Sequence, residues 1–87
     1  MNVQSLGYGQ VLDYDGKSPK IAKGVFLPAS STIIGDVELG EDSAILFNCA
    51  LRGDVNFIKV GARTNIQDGT IIHVSGAGSG TTIGNEV

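Results

Sequence analysis

The sequence predicts an all-β fold: a parallel β-helix built from six-residue units and completing about three turns. Three observations carry this reading. An aliphatic residue recurs every six positions at Ile21, Leu27, Ile33, Leu39, Ile45 and Leu51, and again, after a shift of three, at Val60, Ile66 and Ile72. Two places before these positions stand small or β-branched residues: Val25, Ser31, Val37, Ser43, Cys49, Ile58, Thr64 and Thr70, with Thr81 before Ile83. Three places after them come residues that turn corners, namely Gly24, Ser30, Asp36, Asp42, Asn48, Asp54 and Gly69, with Arg63 the exception. Alternate residues of a strand share a side, so both members of each pair point inward. Gly, Asn and Asp tolerate positive φ. Each unit therefore reads as a short strand followed by a bend, and three units close a triangular turn of about eighteen residues whose strands stack roughly 4.8 Å apart in parallel.

Taken in order, residues 1–20 lack the period and are punctuated by Gly7, Gly9, Gly16 and Pro19. They are expected to form an N-terminal extended capping segment, with Gln10 to Tyr14 running along or across the end of the prism. Residues 21–87 form the repeat. Its first turn, Ile21 to Glu38, carries no chemistry. In the second, Leu39 to Lys59, three extra residues fall between Arg52 and Lys59 and predict a protrusion at one corner. Val60 to Val74 resumes the repeat. Ser75-Gly76-Ala77-Gly78-Ser79-Gly80 is a second insertion; it resembles a phosphate cradle only superficially, because no Lys-Ser/Thr and no helix follows it. Loops expelled from a solenoid tend to gather on one side. The last unit, Ile83 to Val87, stops without a cap, although solenoids need their ends covered. The repeat is thus expected to be incomplete before its C-terminal turns and cap.

Composition excludes several functions. The chain has 87 residues, a net charge of −3 and a pI near 4.7, and its six Lys and Arg residues are scattered, which argues against nucleic acid as a partner. No apolar run reaches the length of a membrane span and no signal sequence opens the chain, so a cytoplasmic protein is expected. One cysteine, Cys49, cannot make an internal disulfide and suits a reducing compartment.

Residues directly after the inward aliphatic positions point outward. Most are apolar or small, such as Ile34, Gly40 and Leu46; Arg52, Gln67 and His73 are the polar exceptions. Arg52 and His73 are twenty-one residues apart, one turn plus the insertion, which places them on one face in neighbouring turns. Gln67 falls one unit before His73, on the adjacent face. Outward apolar residues need covering, and a three-sided prism suits a cyclic homotrimer. His73 by itself reads more readily as an ordinary surface or interface residue than as a ligand, although an exposed imidazole is a borderline ligand suited to zinc. Arg52 and Asp54 read as a salt bridge at a bend or at an interface.

The segment Leu51-Arg52-Gly53-Asp54, followed by Val60 to His73 with its Asn65-Ile66-Gln67-Asp68-Gly69 run, resembles the signature of the γ-class carbonic anhydrases and their relatives in the hexapeptide-repeat superfamily. The resemblance runs from about Ile21 to Val87 and matches only the N-terminal part of a family member. It implies a left-handed helix, against the right-handed preference of parallel crossovers in general. It further implies a homotrimer, zinc held between subunits, and reversible hydration of carbon dioxide to bicarbonate. By the same resemblance His73 matches a zinc ligand, Arg52 and Asp54 the pair beside the bicarbonate site that links subunits, Gln67 the group that polarises the zinc-activated water, and Asn65 and Asp68 its supports. The other two zinc histidines of the family have no counterpart here, so the 87-residue chain alone is expected to be inactive. A trimeric scaffold without chemistry and a hexapeptide acyltransferase using His73 as general base are the alternatives.

Overall fold

The computed structural model describes residues 9–74, 76 and 80–87; residues 1–8 of the expected cap and most of the 75–80 glycine loop lie outside the described residues. Eight strands are present, β1 (Gln10–Leu12), β2 (Lys20–Ile21), β3 (Thr32–Leu39), β4 (Ala44–Ile45), β5 (Ala50–Val60), β6 (Asn65–Ile66), β7 (Ile71–His73) and β8 (Thr81–Ile83), and there is no helix among the described residues. All strand pairs are parallel. They wind into a β-helix with three faces. The first holds β1, the start of β3, the start of β5, and β7. The second holds β2 and β8 with the ends of β3 and β5. The third holds β4 and β6, extended by a bridge from Phe26 to Ala44.

The inward ladders are those of the six-residue period. Ile33 lies over Leu51 and Leu51 over Ile72; Leu39 lies over Val60 and Val60 over Ile83; Ile45 lies over Ile66. Ile33, Ile45, Leu51 and Ile58 are wholly buried, each contributing roughly 1.5–3 kcal/mol of burial. The small residues two places earlier have a further use. The Ser43 hydroxyl donates to the Gly61 carbonyl and the Thr64 hydroxyl to the Gly84 carbonyl, each at 2.6 Å, so buried polar side chains tie one coil to the next.

Two corners depart from the expected alternation of short strand and bend. β3 and β5 run unbroken through Asp36 and Asp54, neither of which adopts positive φ. Gly35 takes that role at φ 81°. A Cβ there would lie far inside van der Waals contact of the Gly53 carbonyl, so the backbones stack too closely for any other residue. At another corner Arg63 does turn, at φ 54°, beneath Glu86 at 58° and above Asp42 at 57°. The Arg63 amide donates to the Glu41 carbonyl at 2.8 Å and its guanidinium to Glu86 at 3.4 Å, which offsets the left-handed cost of about 1–2 kcal/mol.

The insertions share one corner. Register jumps from Leu12↔Ile34 to Lys20↔Glu38, from Gly35↔Gly53 to Val37↔Ile58, and from Arg52↔His73 to Lys59↔Thr82, always between the first and second faces. The first of these is a tight hairpin, Tyr14 paired with Lys17 across Asp15 and Gly16. No helix among the described residues is long and apolar enough to cross a membrane.

Candidate functional site

The alternation of inward and outward residues on β5 fixes the first part of the site. Leu51 is buried, so Arg52 projects outward; Gly53 is inward and close-packed, so Asp54 emerges at the corner where the three extra residues begin. The Arg52 Nη2 atom lies 2.8 Å from Asp54 Oδ2. Asp54 is the better sheltered partner, its side chain 12% exposed against 51% for Arg52. Its other oxygen accepts the Val55 amide at 2.8 Å. The Arg52 hydrogen bond, followed by the smaller contribution of the Val55 amide, outweighs desolvation and holds the Asp54 carboxyl below the usual carboxylate range.

His73 is in direct register with Arg52 on the neighbouring coil, as the twenty-one-residue spacing predicts. Together they end an outward column, Leu12–Ile34–Arg52–His73, flanked by Gln10–Thr32–Ala50–Ile71. Ile71 is 69% exposed. The first face thus presents a guanidinium and an imidazole in an otherwise largely apolar field. A guanidinium with donors to spare beyond Asp54 can take an anion of carboxylate or carbonate geometry.

Gln67 and Asn65 stand on the third face, both exposed. Asp68 lies at the corner between the third face and the first, where its Oδ1 accepts the Phe47 amide of the coil below at 3.1 Å. A single chain therefore brings Arg52, Asp54 and His73 together and keeps Gln67 and Asn65 on the adjacent face. Among the described residues, no group of three His, Cys, Asp or Glu could hold a metal ion. His73 is the only imidazole in the chain, so these residues do not by themselves fit a zinc ion.

Two features escaped the sequence reading. Cys49 and Thr70, at inward positions of the six-residue pattern, both donate to the carbonyl of Gln67, a contact the pattern does not reveal. An open depression of about 430 Å³ lies at the insertion corner between Gly16–Lys20 and Asp36. Its one sequence signal was the Asp15-Gly16 turn pair.

The chain is 54% identical over 59 residues to gamma carbonic anhydrase 2, mitochondrial, of Arabidopsis thaliana, covering 68% of this chain and 21% of that protein. It is 42% identical over 82 residues to a carbonic anhydrase of Geobacillus kaustophilus, covering 88% and 45%. Among solved structures, a hexapeptide transferase family protein from Anaplasma phagocytophilum superposes with a TM-score of 0.81 at 39% identity, over 87% of this chain and 43% of that one. No family model matches. The chain spans less than half the length of these relatives.

Proposed function

The chain belongs to the γ-carbonic-anhydrase-like family of left-handed hexapeptide-repeat β-helices, and on that premise we propose that the complete protein, assembled as a homotrimer, catalyses the zinc-dependent, reversible hydration of carbon dioxide. Support comes chiefly from the Arg52–Asp54 ion pair standing one coil from His73 on a largely apolar face. In this reading His73 is one metal ligand, and the remaining donors come from outside the described residues. When bound, zinc would supply water acidic enough to act as a nucleophile near neutral pH. Arg52, oriented by Asp54, binds the bicarbonate product and helps to join neighbouring subunits. Gln67 orders the attacking water by hydrogen bonding from the adjacent face of a neighbouring copy, with Asn65 and Asp68 supporting it. The released proton passes to solvent. A cytoplasmic location accords with the free, buried Cys49 thiol.

The test is Arg52→Ala and Gln67→Ala in the assembled protein. Each is expected to lower turnover by at least about tenfold, as loss of a transition-state hydrogen bond does, with zinc content per subunit unchanged. Parental turnover in both variants overturns the assigned roles. Two observations favour rival readings. The lone imidazole suits a trimeric scaffold without chemistry, for which Asp54→Ala would dissociate an inactive parent. The likeness to a hexapeptide transferase family protein suits an acyltransferase with His73 as base, which fails if acetyl-coenzyme A does not bind.

A further inference from the structure

The Gln67 side-chain amide finds no hydrogen-bond partner among the described residues, and the residue is exposed. Its location is therefore set by its backbone. That backbone is held at its carbonyl. The Gln67 carbonyl accepts the Thr70 hydroxyl at 2.7 Å, the Cys49 thiol at 3.1 Å and the Thr70 amide at 3.3 Å. Cys49 is 2% exposed and rises from the coil below, so two of the three donors come from Thr70 within the corner and one from the neighbouring coil. The same corner is tied again where the Gly69 amide donates to the Phe47 carbonyl at 2.9 Å and the Phe47 amide returns a bond to Asp68. Within this coil, residues 67–70 run from β6 on the third face to β7 on the first.

We propose that Thr70 and Cys49 are positioning residues for Gln67: by clamping its carbonyl they fix where its side-chain amide leaves the third face. The proposal rests on the hydration reading, in which Gln67 orders the attacking water. A side chain that acts on the transition state loses rate when its backbone drifts, while substrate affinity stays unchanged.

Thr70→Val keeps the shape of the side chain and removes the hydroxyl donor. In the complete assembled protein it is expected to lower kcat by about tenfold, less than the roughly hundredfold cost of a full 1 Å displacement, at unchanged KM and zinc content. Thr70→Ser is expected to restore kcat. Cys49→Ala is expected to act in the same direction more weakly, and Cys49→Ser, which keeps a donor, to retain parental kcat. Independently of activity, the Gln67 backbone amide resonance is expected to shift and broaden in Thr70→Val and to return in Thr70→Ser. If Gln67→Ala lowers kcat while Thr70→Val and Cys49→Ala both keep the parental rate and resonance, the positioning role is overturned. Should Thr70→Val fail to fold, Cys49→Ala against Cys49→Ser decides in the same way. A Gln67→Ala variant with parental kcat would instead remove the hydration reading on which the role depends, even with the resonance shift intact.

Discussion

The first and second faces of this prism have nearly the same interior and very different exteriors. Beneath the first lie Ile33, Leu51 and Ile72; beneath the second, Leu39, Val60 and Ile83. Outside, the first carries Leu12, Ile34, Arg52 and His73, whereas the second carries Lys20, Glu38, Lys59 and Thr82. Alternating charge on parallel neighbours is a self-sufficient surface: Lys59 sits 3.9 Å from Glu38 and both face water. The exposed Ile71 and Leu12 have no such settlement with solvent. The inward period builds the prism, and the outward positions that it leaves free distinguish a face of paired charges from a largely apolar face carrying Arg52 and His73.

The largest expected effect tests whether the interiors are truly equivalent. Leu51→Ala under the first face and Ile58→Ala under the second are both expected to cost about 2–5 kcal/mol in denaturant unfolding, since both are wholly buried. A cost below about 1 kcal/mol at either would break the equivalence. Next comes the tight stack where the faces meet. Gly53→Ala would drive a Cβ to 2.5 Å from the Asp36 carbonyl, and a loss of about 1–3 kcal/mol is expected from that overpacking, read as a lower melting temperature.

The ion pair on the first face should carry a pH signature. Because the folded carboxyl of Asp54 titrates below its unfolded value, its stabilisation is complete above the ordinary carboxylate pKa of about 3.9 and is lost as pH falls through the lower folded value. Asp54→Asn should therefore be less stable than the parent at pH 7 and converge with it in strong acid, as measured by urea midpoints across pH. Equal midpoints at pH 7 would contradict the assignment. The smallest effect belongs to the second face. Glu38→Ala breaks a long, exposed pair and is expected to change stability by less than about 0.5 kcal/mol by the same measurement.

Much of this geometry was legible in the sequence because the period is carried by side-chain type. The ladders from Ile21 to Ile83, the corner protrusion after Arg52 and the register of Arg52 with His73 follow from counting sixes and noting the three extra residues. The corners were less legible. Arg63 and Glu86 adopt a left-handed conformation that their residue types disfavour, because bonds to neighbouring coils hold them there. Asp36 and Asp54 look like corner residues yet remain extended, since Gly35 and the inserted residues absorb the turn. The clamp of Cys49 on the Gln67 carbonyl spans eighteen residues and joins atoms that become neighbours only once the coils stack.

In the proposed homotrimer the first face is covered by another copy of the protein. Sedimentation equilibrium of the parent, Ile34→Asp and Lys59→Glu tests it most directly. Three subunits in the parent and in Lys59→Glu, with a single subunit in Ile34→Asp, is the predicted result. A monomeric parent, or an Ile34→Asp variant that keeps the parental mass, would contradict it.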